Sequence, residues 1–114
     1  MLTDAHCHLC DPRFDQDRTS VIKKALARGV GAFFTAATNS ASWDKQTLLV
    51  ESYTDVPHIS ISTAMGVHPW FVGELAGNGS LSDAPSMVGD LHALERLLKS
   101  PPLGMVAVGE CGVD

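Results

Sequence analysis

Along this chain, short apolar runs alternate with segments whose apolar residues recur at helical spacing. Leu2 to His6 reads as a brief, partly apolar first strand. Behind the capping candidates Asp17 to Ser20, residues Val21, Ile22, Ala25 and Leu26 share one helical face, and Lys23, Lys24 and Arg28 fall largely elsewhere. Gly29 is placed to end that helix, and Val30 to Ala36 reads as a buried second strand. Asn39-Ser40-Ala41-Ser42 caps a second helix running through Leu48 and Leu49 to around Tyr53, and Asp55-Val56-Pro57 stops it. Ile59, Ile61 and the stretch to Val67 make a third strand. The segment Trp70 to Pro85, rich in Gly, Ser and Asn, is longer than the usual βα connection of about 2–6 residues and reads as a substrate-facing lid or rim. Met87, Leu91, Leu94, Leu97 and Leu98 line a third helix, which Ser100-Pro101-Pro102 closes, and Met105 to Val108 is a fourth strand. The order βαβαβαβ predicts an α/β fold of parallel strands with covering helices.

Composition narrows the class. The 114 residues are 45% apolar and 18% charged, which fits one globular unit rather than a disordered chain. No run approaches the ~20 apolar residues of a membrane span. Met1-Leu2-Thr3-Asp4 lacks the basic start and apolar core of a secretory leader. The net charge of −5, from 13 acids and 8 bases, excludes a broad basic surface as the main device for holding nucleic acid, but not phosphate binding through a metal. Cys7, Cys10 and Cys111 are odd in number and have no paired spacing, which argues against a disulfide scaffold and for the reducing cytoplasm.

The candidate chemistry gathers at strand ends. His6 and His8 form a His-x-His pair at the end of the first strand, where residues two apart face the same way and two imidazoles can converge on one ion. Cys7, between them, points to the helix side. Glu110 follows the fourth strand, a costly place for a carboxylate unless something pairs with it. The C-terminal ends of parallel strands are also where α/β sites gather. His68, in Gly66-Val67-His68-Pro69-Trp70, ends the third strand on the same side and is placed to hydrogen-bond a substrate or hold a metal-bound water. Asp4 and Asp114 flank the region as carboxylates able to orient a histidine. His58 lies at the wrong end of its strand, and His92 sits on the third helix. Neither is a site candidate.

Three segments together resemble the successive signatures of the TatD-type deoxyribonucleases, metal-dependent hydrolases of the amidohydrolase-like superfamily. They are Thr3-Asp4-Ala5-His6-Cys7-His8-Leu9, Met65-Gly66-Val67-His68-Pro69-Trp70 and Ala107-Val108-Gly109-Glu110-Cys111-Gly112-Val113-Asp114. The resemblance spans the chain. It implies a TIM-type (β/α)8 barrel of which residues 1–114 form a partial domain, the N-terminal half. It implies two divalent ions (Zn, Mg or Mn), with His6 and His8 on the first ion and Glu110 bridging both. His68 would then line the substrate pocket, with Asp114 in support. The implied reaction is phosphodiester hydrolysis in DNA. The family's later histidines and aspartate have no counterpart here, and a barrel of this type takes ~250 residues. The expectation is therefore a truncated chain with little or no activity of its own, prone to self-association through open sheet edges. The alternatives are a non-catalytic remnant, a dimerising half-barrel, or a related hydrolase acting on lactone or amide bonds.

Overall fold

A computed structural model describes residues 1–71 and 84–112. Four strands form a single parallel sheet in the order β1-β2-β3-β4: β1 (Leu2–Cys7), β2 (Val30–Ala36), β3 (Ser60–Met65) and β4 (Met105–Val108). Three helices connect and cover them: α1 (Arg18–Ala27), α2 (Trp43–Tyr53) and α3 (Ala84–Lys99). Single 3-10 turns at Pro12–Phe14 and Ser40–Ser42 precede α1 and α2. No helix among the described residues is long and apolar enough to cross a membrane.

The local causes are those the pattern predicts, with a few shifts. Gly29 follows α1 at φ +90°, a left-handed turn open to glycine at no steric cost, and its N–H donates to the Leu26 carbonyl. β2 and β4 have the predicted bounds. The Asn39–Ser42 segment does not cap α2 directly, because Ser40–Ser42 winds as a 3-10 turn first. Its Ser42 hydroxyl donates to the Asn39 carbonyl. The predicted loop from Trp70 to Pro85 is shorter than expected at both ends. Residues 69–71 are helical and α3 begins at Ala84, three residues before Met87. The remainder of that lid or rim, 72–83, lies outside the described residues.

One cluster fills the space between α1, α2 and the first three strands: Leu9, Cys10, Ile22, Phe33, Leu49, Val50 and Ile61, with Cys7 packed against it. A second joins Ala37, Trp43 and Met65 to Ala93, Leu94 and Leu97 of α3. The apolar face of α3 is thus narrower than its leucines suggest. Leu91 and Leu98 flank the buried stripe and are exposed. Burial also differs across the sheet. β2 and β3 are mostly buried or half-buried, whereas β1 is exposed along nearly its whole length.

Candidate metal centre

The C-terminal ends of β2, β3 and β4 are laced together by backbone hydrogen bonds beyond the sheet itself. Ala37 N donates to Ala64 O, His68 N to Thr38 O, Gly109 N to Met65 O and Glu110 N to Ala37 O, at 2.8–3.2 Å. Gly66 makes this closeness possible. A Cβ there would lie 2.5 Å from the Glu110 carbonyl oxygen and 2.7 Å from the Gly109 carbonyl carbon, both backbone atoms that cannot swing aside. The Trp43 indole N–H donates to Gly66 O at 3.1 Å and pins the turn from beneath.

Onto this floor the strands deliver three donor groups. Ligand atoms of His6, His8 and Glu110 all lie within 4.8 Å of one another. Glu110 Oε1 is 2.7 Å from His6 Nε2 and 3.6 Å from His8 Nε2. The two imidazoles meet edge to face, with ring centroids 5.0 Å apart. Cys7 faces the other way, as alternation requires. Its thiol donates to Phe34 O at 3.4 Å, and burial pushes its pKa up to about 11.

The tautomers follow from the partners. His8 Nδ1 lies 3.0 Å from Ala36 O, an acceptor only, so Nδ1 carries the hydrogen and the Nε2 lone pair faces Glu110. His68 is the reverse. Its Nδ1 accepts from the Trp70 backbone N–H at 3.1 Å, so the proton of the neutral ring sits on Nε2, 3.6 Å from Glu110 Oε2. The two histidines therefore do different work. His8 offers a lone pair, and His68 offers a hydrogen-bond donor.

The donor set fits a divalent ion. Metal–ligand distances of ~2.0–2.1 Å in a tetrahedral site place neighbouring donor atoms about 3.3 Å apart. The His8–Glu110 pair is close to this. The His6–Glu110 pair sits nearer, as a hydrogen bond, and the exposed His6 side chain is the one free to adjust. Two imidazoles and a carboxylate suit zinc, manganese or iron.

Other residues the sequence nominated are placed differently. Asp4 does not orient a histidine ring; its carboxylate accepts from the His6 backbone N–H at 3.2 Å. The cause is a register shift between Asp4 and Cys7, where β1 spends three residues against two of β2, so simple alternation fails there. Cys10 is buried in the core and Cys111 is exposed, and neither joins the cluster. Asp114 lies outside the described residues. Gln46 was not nominated at all, yet it belongs to the wall of a cavity of about 520 Å³ shared with His8, His68 and Glu110, and is 1% exposed. Its signal was available: it is a polar residue on the helical face of Trp43, Leu49 and Val50.

A parallel βα sheet thus carries a His-x-His pair and a carboxylate that converge at its C-terminal end. The model of the TatD-related DNase family matches residues 3–114, and the chain belongs to that family. It is similar to the uncharacterized metal-dependent hydrolase YjjV of Escherichia coli, at 31% identity over 97% of this chain and 37% of that protein. It is 33% identical to the 3'-5' ssDNA/RNA exonuclease TatD of Erwinia tasmaniensis, over 97% of this chain and 36% of that one. Among solved structures, an uncharacterized amidohydrolase from Saccharomyces cerevisiae superposes with a TM-score of 0.81 at 26% identity, over 98% of this chain and 37% of that one. The chain thus spans a little over a third of the length of these relatives, and its four strands correspond to the N-terminal portion of the TIM barrel.

Proposed function

We propose that this chain supplies the His6, His8 and Glu110 share of a two-ion divalent-metal centre that hydrolyses phosphodiester bonds in DNA. The observation that carries the reading is the convergence of two imidazole nitrogens and a carboxylate, from opposite edges of the sheet, within 4.8 Å of one another. Divalent ions supply Lewis acidity toward a phosphoryl oxygen and charge stabilisation for the leaving group. His8, its Nδ1–H donated to Ala36 O, would offer its Nε2 lone pair to such an ion. Glu110 presents Oε1 to the histidine pair and Oε2 to the His68 side, a disposition suited to bridging two ions. His68 donates from Nε2 to a non-bridging oxygen of the substrate. Asp114 takes a supporting role by family resemblance alone. The free thiols suit the reducing cytoplasm.

The Erwinia relative, a 3'-5' ssDNA/RNA exonuclease, supports the substrate class, and YjjV, a metal-dependent hydrolase, supports metal use. The test is cleavage of an end-labelled single-stranded DNA with Mg²⁺, Mn²⁺ or Zn²⁺, beside a panel of amide and lactone substrates. Metal-dependent cleavage that is weak beside that of a full-length relative, and that is lost in Glu110→Gln and in His8→Ala, is the expected result. Hydrolysis confined to amides or lactones, or cleavage unchanged in both variants, overturns the reading.

A further inference from the structure

Three backbone positions on the inner strands fix Glu110. Its own N–H donates to Ala37 O at 3.2 Å, and the N–H of Gly109 before it donates to Met65 O at 3.0 Å. The third is Gly66, whose α-carbon faces the Gly109 and Glu110 carbonyls too closely for any side chain to fit. One buried side chain is tied to all three. Trp43, the first residue of α2, shares a core cluster with Ala37 and Met65, and its indole N–H donates to Gly66 O at 3.1 Å. Gly66 is thus held by the indole through its carbonyl and by the Gly109–Glu110 backbone against its α-carbon. A phenylalanine or leucine at position 43 would fill the core with apolar surface, but it would bring no donor to the buried Gly66 carbonyl, and a buried carbonyl without a donor is costly. The indole N–H therefore does something that packing alone does not. It fixes the turn on which the carboxylate-bearing residue rests.

We propose that Trp43 is a positioning residue for the metal centre: acting through Gly66, it sets the place from which Glu110 presents its carboxylate to His6 and His8, so that metal affinity depends on the indole N–H. Trp43 itself supplies no ligand atom, because its ring nitrogen is a donor only. Groups that orient a ligand from behind are worth a sizeable share of metal affinity. Here the chain of command runs from a helix, α2, to a carboxylate just past β4 that the helix does not touch through any ligand. The assignment rests on the metal reading of His6, His8 and Glu110, and not on which bond the centre cleaves.

The experiment is Zn²⁺ titration calorimetry on the whole chain, together with indole N–H spectra of the ¹⁵N-labelled protein. Trp43→Phe keeps an apolar ring and loses the N–H, and it is expected to weaken Zn²⁺ binding about tenfold. Leu49→Ala opens a cavity in the other core cluster, lowers the melting temperature at least as much, and leaves the affinity within about twofold. The chain's two tryptophans give two indole signals, and Trp70→Phe identifies the one from Trp43. That signal shifts when Zn²⁺ is added to the parent and stays in place in Glu110→Gln. An affinity within threefold of the parent in Trp43→Phe overturns the proposal. So does an equal loss in Leu49→Ala, which would make the effect one of stability alone. Should Trp43→Phe fail to fold, the spectra decide: a Trp43 signal unmoved at saturating Zn²⁺ overturns it. A parent that binds no Zn²⁺ overturns this assignment and the metal reading together. Zn²⁺ binding that depends on Trp43, without DNA cleavage, would count against the phosphodiester reading and leave the role of Trp43 standing.

Discussion

The two middle strands and the two outer ones divide the labour unequally. β2 and β3 are the most buried, and their side chains build the core: Phe33, Thr35, Ile61, Thr63 and Met65 are all below a tenth exposed. They contribute almost no side-chain chemistry; only His68, three residues past β3, reaches the site. β1 and β4 are the exposed strands, and they carry His6, His8 and Glu110 at or just beyond their ends. Yet the outer donors are positioned by the inner backbone. His8 is set by Ala36 O and Glu110 by Ala37 O, and the turn at Gly109 by Met65 O. Ligand chemistry can thus sit on poorly buried strands because precision is borrowed from the buried ones.

That division has consequences at three depths, read as the affinity of the chain for Zn²⁺ by titration calorimetry. Glu110→Gln has the largest effect. The amide keeps the shape and loses the charge, and affinity falls by at least about 100-fold, since even groups that only support a ligand are worth about 10–100-fold. The melting temperature changes little. An affinity within threefold of the parent would remove Glu110 from the centre. Gly66→Ala tests the borrowed precision directly, because it touches no ligand. Its methyl would overlap the Glu110 and Gly109 backbone, so those residues shift and Glu110 leaves the histidines. We expect about a tenfold loss of affinity together with a lower melting temperature. Unchanged binding would mean that the inner turn does not set the outer donor.

Ile22→Ala probes the opposite corner. Ile22 is fully buried in the core cluster between α1 and the sheet and is none of the three donor residues. Truncation leaves a cavity and costs about 2–5 kcal/mol of stability. Zn²⁺ affinity of the still-folded fraction stays within about twofold. A matching loss of affinity at temperatures well below the melting transition would show that the core and the site are not separable.

Periodicity made much of this legible. Val30–Ala36 and Met105–Val108 stand where the apolar runs put them, and the His-x-His alternation correctly sends Cys7 to the helix side. A carboxylate two residues past the apolar run Met105–Val108 flagged Glu110, although that strand is half-exposed rather than buried as the run suggested. What escaped depends on backbone detail that side-chain pattern does not encode. The extra residue of β1 between Asp4 and Cys7 turns Asp4 onto a backbone N–H. The donor role of His68 is decided by the N–H of Trp70, two residues on, which no spacing rule reveals. On α3 the leucines are too many for one stripe, so pattern alone could not say that Leu94 and Leu97 go in while Leu91 and Leu98 stay out. Gln46 was legible and overlooked, because a single polar residue in an apolar stripe is easily read as tolerated.

The smallest effect belongs to the rim of the cavity, where charge rather than burial holds the chain. The Asp11 side chain caps the Pro12–Phe14 turn by accepting from the Arg13 backbone N–H, and it grips the Arg13 guanidinium at 2.8 and 2.9 Å. These bonds hold its carboxyl at about 2, below the ordinary 3.8. The folded chain therefore keeps Asp11 ionised at a pH where the unfolded chain has taken up a proton. The contribution to stability is complete above about pH 4 and disappears as the pH falls toward 2. Asp15, lowered by Arg18 and by Lys45, acts with the same sign. Both pairs are solvent-exposed, so the effect is slight. In Asp11→Asn the melting temperature at pH 7 drops by no more than a degree or two. The gap to the parent narrows between pH 4 and 2, and Zn²⁺ affinity at neutral pH is unchanged. A gap that instead stayed constant down to pH 2 would show that Asp11 acts through its neutral cap alone and that the charge on Arg13 contributes nothing.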